Sequence, residues 1–272
     1  MGGITDYAAH KLLEHLVAKT AYTPPATIYA GLCTANPTDA ATGASCHETA
    51  NAYGYARTAI TFAAATNRIA YNSALVRFPN ATGTYASPIT HWMIADSATY
   101  GAGNVLAYGA FTSSLSPVNG KYVRIPASAC GIGISNESGN GLSITRCNNL
   151  LDLMFRNTAF SVAAVYARLA SNVVTELGSF TEITGSGYGP VAATNWSTAT
   201  SREIHNSSTI TFGPPTGTWV QAVSGVLSLS STVLTDVLCF DESGFVDFIA
   251  LNADTVSIAS SAFSIAIAGT LP

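Results

Sequence analysis

The sequence predicts a mainly β protein of two tandem homologous β-sandwich (jelly-roll-like) domains, each opened by an N-terminal α-helix. Three observations carry this. The chain repeats itself once, at an offset that stays between 132 and 138 residues. Each copy begins with apolar residues at three- and four-residue steps. The remainder alternates in short runs broken by Gly, Pro, Asn and Ser, as strands and turns do.

The repeat is plainest in NSALVRFPNATGTY (72–85) against NSSTITFGPPTGTW (206–219). HKLLEHLVAKTAYTPPATIYAGL (10–32) matches NNLLDLMFRNTAFSVAAVYARL (148–169), NVLAYG (104–109) matches DVLCFD (236–241), and YVRIPASACGIGI (122–134) matches TVSIASSAFSIAI (255–267). The expected units are 1–138 and 139–272, joined by the polar, Gly-rich stretch SNESGNGLS (135–143).

In the first copy Ala9, Leu12, Leu13, Leu16 and Val17 form one helical stripe, with Asp6 as the expected N-cap and Pro24–Pro25 as the stop. In the second copy Leu150, Leu151, Met154 and Phe155 do the same. IYAGLCT (28–34), THWMIAD (90–96) and NVLAYGAF (104–111) read as strands. The last strand changes its apolar parity around 127–129, and its counterpart does so around 260–262. A one-residue slip moves side chains to the other sheet face, so a bulge, bend or short turn is expected at both places. By the same alignment His91 and Trp92 correspond to Gly225 and Val226, and Arg57 to Pro190.

Composition narrows function. Of 272 residues 48% are apolar and only 10% charged, against about 25% in an average soluble domain. Net charge is −4 and the few Lys and Arg are scattered along the sequence, which argues against a nucleic-acid partner. The sequence has no polybasic anchor and no apolar run near the roughly 20 residues that span a bilayer, so no membrane partner is expected. MGGITDYAAHKLLEHL lacks the blocks of a signal peptide, so synthesis in a cytoplasm without secretion is expected.

No catalytic, cofactor or metal site is expected. The histidines (His10, His15, His47, His91, His205) form no metalloprotease motif. Cys33, Cys46 and His47 lack zinc-site spacing and a fourth ligand. There is no G-x-S-x-G, and the only adjacent carboxylates are Asp241–Glu242. Residues shared by the copies read as Leu, Tyr/Phe, Val, Ile, Gly and Thr, a scaffold set. The N-x-S/T sequons at Asn80, Asn136, Asn195 and Asn206 read as chance. Cys130 and Cys239 fall in core slots, opposite Phe263 and Ala107 in the alignment. Cys46, in AATGASCHETANAYG, reads as a loop thiol able to stay free at the surface or pair between molecules.

Several phrases carry a resemblance. TAYTPP, then YAGLCTANPT, GYAR, FPNATG and HWMIADSATYGAGNVLAYG (91–109) are similar to a family of tailed-bacteriophage virion structural proteins, often labelled tail-fibre-like or decoration proteins. The likeness covers nearly all of copy one; copy two joins it through the internal match. It implies a non-enzymatic virion component that contacts capsid, collar or tail subunits as a homo- or hetero-oligomer. The expected role is decorating or cementing the head, neck or collar. The alternative is a tail-fibre or tail-tip adhesin using exposed Tyr-rich segments such as AYGYAR.

Overall fold

The computed structural model describes residues 2–135, 140–234, 236–241 and 255–267. Glu242, the sequon at Asn136 and part of the expected linker lie outside them. The first copy runs β1 (Gly3–Ile4), α1 (Asp6–Leu13, extended by a π-helical turn Glu14–Ala18), β2 (Ile28–Cys33), β3 (Thr58–Ile60), β4 (Ile69–Tyr71), β5 (Val76–Arg77), β6 (Ile89–Ala95), β7 (Val105–Leu115), β8 (Arg124–Ile125) and β9 (Gly131–Gly133). The second repeats this order: β10 (Asn140–Leu142), α2 (Ile144–Arg156), β11 (Tyr166–Ala170), β12 (Val191–Ala192), β13 (Glu203–His205), β14 (Ile210–Thr211), β15 (Ser224–Ser228), β16 (Val237–Asp241), β17 (Ser257–Ile258) and β18 (Ser264–Ala266). The end of the expected linker, 140–142, is therefore a strand.

Each copy has one five-stranded antiparallel sheet, β1-β7-β6-β2-β3 and β10-β16-β15-β11-β12, and two short ribbons, β4–β9 with β5–β8 and β13–β18 with β14–β17. Sheet and ribbons are the two layers of the sandwich. Ile28, Ala30, Leu32, Trp92 and Ile94 point from the first sheet into the core, where Ala70, Val76, Ile125 and Ile132 of the ribbons and the apolar stripe of α1 meet them. The opposite sheet face is closed by the loop after β2: Ala41 and Cys46 pack on Cys33, Met93, Ala95 and Val105.

The helices are capped by Thr5 and Ser143, whose hydroxyls accept from the amides of Ala8 and Arg146 at 3.4 Å. This corrects the N-cap: Asp6 is the first helical residue, where its charge faces the positive helix end. Both helices end on a left-handed residue, Lys19 (φ 56°) and Asn157 (φ 53°).

The parity change has the same cause in both copies. Ser128 (φ 60°) and Ser261 (φ 62°) sit in matching turns. The buried Asn72 donates to the carbonyls of Ala74 and Pro126 and accepts from the Cys130 amide at 2.8 Å. Asn206 does the same with Ser208, Ala259 and Phe263.

Sheet register shifts one part of the internal alignment. Leu32 faces Trp92 and Leu169 faces Gly225, so Trp92 corresponds to Gly225 and Met93 to Val226. Burial enforces this, because the one-residue slip would put an inward side chain outside.

The copies are joined through their helices. α2 lies against β4 of the first copy, and α1 lies against β13 of the second. The contacts mirror one another. The Arg68 amide donates to Asn148 Oδ1 at 2.9 Å, and its counterpart Arg202 donates to His10 Nε2 at 3.2 Å. Arg68 pairs with Glu176, and Arg202 with the matching Asp39 at 3.1 Å. Phe62 meets Phe155 with ring centroids 5.2 Å apart, and one buried cluster runs through both copies. This is an isologous interface within one chain. Residues 1–138 expressed alone expose the ribbon face that α2 covers. Their expected state is a self-associated one, read by light scattering after gel filtration. A well-folded monomer would contradict this account of the seam.

Candidate functional site

The residues singled out in the sequence do not converge. His10 and His15 serve the seam: His15 Nδ1 accepts from the Tyr22 amide at 3.2 Å, so Nε2 carries the proton and donates to the Phe160 carbonyl at 2.6 Å. His91 lies on β6 beside the Thr90 hydroxyl, and burial lowers its pKa. His47 is exposed with φ 55°, and His205 is half-buried on β13. Among the described residues no three His, Cys, Asp or Glu side chains gather as metal ligands, and no helix is long and apolar enough to cross a membrane.

Cys130 and Cys239 are fully enclosed, as their slots require. Cys46 corrects the expectation of a surface thiol. It is 1% exposed, donates to the Gly43 carbonyl at 3.5 Å and lies against the Cys33 thiol. The loop's small residues allow it to fold down onto the sheet instead of standing out into solvent. In AYGYAR, Tyr53 is exposed but Tyr55 is buried.

Tyr55 leads to a constellation that sequence reading missed. Glu48 Oε1 accepts from the Tyr55 hydroxyl at 2.7 Å and from Arg57 Nε at 2.9 Å, while Oε2 takes Arg57 Nη2 at 2.8 Å. The same tyrosine oxygen accepts from the Leu32 amide. Arg57 Nη1 donates to the carbonyls of Ser97 and Ala102, both at 2.9 Å. One fork of donors thus ties the Glu48 segment to the β6–β7 connection. Burial pulls the Arg57 pKa down, but the Glu48 bond and charge outweigh it and hold the cation.

The second copy rebuilds the group from a different position. Tyr188 donates to Glu182 at 2.9 Å and accepts from the Leu169 amide. Pro190 stands where Arg57 was, and the cation comes from Arg168 on β11. Its Nη1 reaches Glu182 at 2.6 Å and Nη2 reaches the Ser230 carbonyl at 2.7 Å. The position equivalent to Arg168 is Gly31, where an added Cβ would have to displace the terminal methyl of Met93 and would lie 3.2 Å from both Glu48 Oε1 and the Tyr55 hydroxyl. The shared polar set is therefore larger than the scaffold residues read from the alignment. It includes Tyr55/Tyr188, Glu48/Glu182, Asn72/Asn206 and a buried arginine that changed strands.

The chemistry of this group is structural. Each carboxylate accepts from a guanidinium and a hydroxyl, and both phenols are pushed up, first by burial and then by the adjacent glutamate. A raised folded pKa gives stability that is complete below the unfolded value, about 10 for Tyr, and is lost as pH rises above it. Titration should show a fraction of the tyrosines ionising only as the far-ultraviolet signal collapses above about pH 10. Ionisation of every tyrosine with the fold intact would refute the buried network.

Similarity agrees with the architecture. The family model described as Podophage GP4 fiber I protein gp80 matches residues 3–133 and again 141–241. No curated protein matches the chain at a significant level. Two matched segments on two copies of one fold, joined by a mirrored seam, make this chain a tandem duplication and a member of the podophage GP4 fiber I protein gp80 family of phage virion structural proteins.

Proposed function

We propose that the protein is a non-enzymatic structural subunit of the phage fibre that works by contact with other virion proteins. The observation that carries this is the match of both copies to a fibre-protein family. The buried Tyr–Glu–Arg groups, spent on tying loops together, support a scaffold role. Units 1–138 and 139–272, locked by their helices, would act as one block with two linked contact surfaces, which raises the effective concentration of the second contact.

A second reading, decoration of the head, neck or collar, is favoured by the block's shape: two sandwiches joined side to side, with no extended repetitive shaft among the described residues. Immunogold labelling of purified particles separates the two. Label along or at the base of fibres supports the first reading. Label on the head or neck at capsid-like copy number supports the second. Absence from purified particles overturns both.

A further inference from the structure

The ribbon β5–β8 carries charge that the fold does not need. Arg77 and Arg124 are directly opposed partners, so both side chains leave the same face, while Val76 and Ile125 turn into the core. Like charges directly opposite one another destabilise an antiparallel pair. Among the described residues no ion pair offsets them. Between residues 58 and 134 the only acidic residue is Asp96, and Asn104 already occupies both of its oxygens. Among the described residues Arg77, Lys121 and Arg124 have no ion pair. The Arg77 guanidinium instead lies 4.1 Å over the Tyr122 ring and donates to Asn80 Oδ1 at 2.8 Å, one of its five N–H groups. Beside it Leu115, Pro117, Lys121, Tyr122 and Arg124 line a cleft of about 390 Å³, a volume in the small-ligand range.

The second copy shows what the ribbon itself requires. There the opposed pair is Thr211 and Ser257, with Ile210 and Ile258 still turned inward. Thr255 replaces Tyr122. Both arginines and the ring are therefore a property of the first copy alone.

We propose that this cleft binds an acidic saccharide, a sugar bearing a carboxylate or phosphate. Arg124 and Lys121 line the cleft and Arg77, stacked on Tyr122, stands beside it; guanidinium groups match either anion through charge-assisted bonds. Tyr122, Leu115 and Pro117 give the cleft an apolar wall for the C–H face of a sugar ring, and Ser116 in its lining supplies a partner for the hydroxyls. An acidic peptide would use the charge and leave that wall idle. The proposal goes beyond the placement of the chain in the fibre and stands or falls separately, because it is tested on the purified protein.

Calorimetry on the full chain at low salt would use an oligogalacturonate pentasaccharide, a mannose-6-phosphate pentasaccharide, neutral maltopentaose and polyglutamate. At least one acidic sugar should bind, and which one binds identifies carboxylate or phosphate as the anion. The double variant Arg77→Thr/Arg124→Ser installs the second copy's own residues and should bind at least about tenfold more weakly, with an unchanged or higher melting temperature. Tyr122→Thr should also weaken binding of the sugar. Failure of both acidic sugars, equal binding of maltopentaose, or full retention in the double variant overturns the proposal. So does polyglutamate binding that matches the sugars and survives Tyr122→Thr, which would point to an acidic protein segment.

Discussion

Arg57→Ala is expected to destabilise the first copy by about 3–5 kcal/mol, the usual consequence of stranding one member of a buried ion pair. The Arg57 side chain is fully enclosed and that of Glu48 is 3% exposed. Truncation leaves the Glu48 charge buried with only the Tyr55 hydroxyl and orphans the carbonyls of Ser97 and Ala102. Replacing both members at once, as in Arg57→Met/Glu48→Gln, should recover much of the loss, because the uncompensated charge is gone. Chemical denaturation followed by tryptophan fluorescence measures both. A loss below about 1 kcal/mol for Arg57→Ala would mean the pair is not desolvated as its burial indicates.

Trp92→Ala should cost a similar amount, about 3–5 kcal/mol, through the cavity left in the core. The geometry around the indole makes a sharper test possible. A Cβ on Gly2 or on Gly109 would collide with the Trp92 ring. Alone, Gly109→Ala should therefore cost about 1–3 kcal/mol by overpacking. In the Trp92→Ala background the same change should cost much less, since the indole is gone and the nearest remaining contact is the Gly2 Cα, at 3.0 Å. The second copy resolves the crowding the other way, pairing Gly225 with Asp241. Additive effects in this double-mutant cycle would show that the glycines are not there to seat the indole.

The sequence made visible whatever is encoded locally or by repetition. The duplication, the helix stripes and the parity change at 127–129 and 260–262 each leave a periodic trace, and Ser128 and Ser261 lie in those turns. The Tyr–Glu–Arg group left only part of one: Tyr55/Tyr188 and Glu48/Glu182 repeat at the offset of the duplication, but the cation sits at 57 in one copy and 168 in the other. Aligned columns compare residues at one position, whereas burial selects a charge at one place in space. The seam was hidden for a related reason: its contacts join residues far apart in the chain, such as Arg68 with Asn148. Cys46 was misplaced because a Gly/Ala/Ser run looks like a solvent loop, yet small side chains also permit close packing on a sheet. The cationic cleft was invisible because Arg77, Lys121 and Arg124 are spread over nearly fifty positions and meet only in the ribbon pairing.

The mirrored seam bears on how such a block can be used. Two identical subunits related by a two-fold must show the same surface at both ends, so any attachment they make is made twice. Joining the copies in one chain removes that obligation. One end can drift toward neighbours inside the particle while the other keeps its charge and exposed tyrosines. The object acquires a direction, and a directional block can be built into a projecting structure with one end facing in and one facing out.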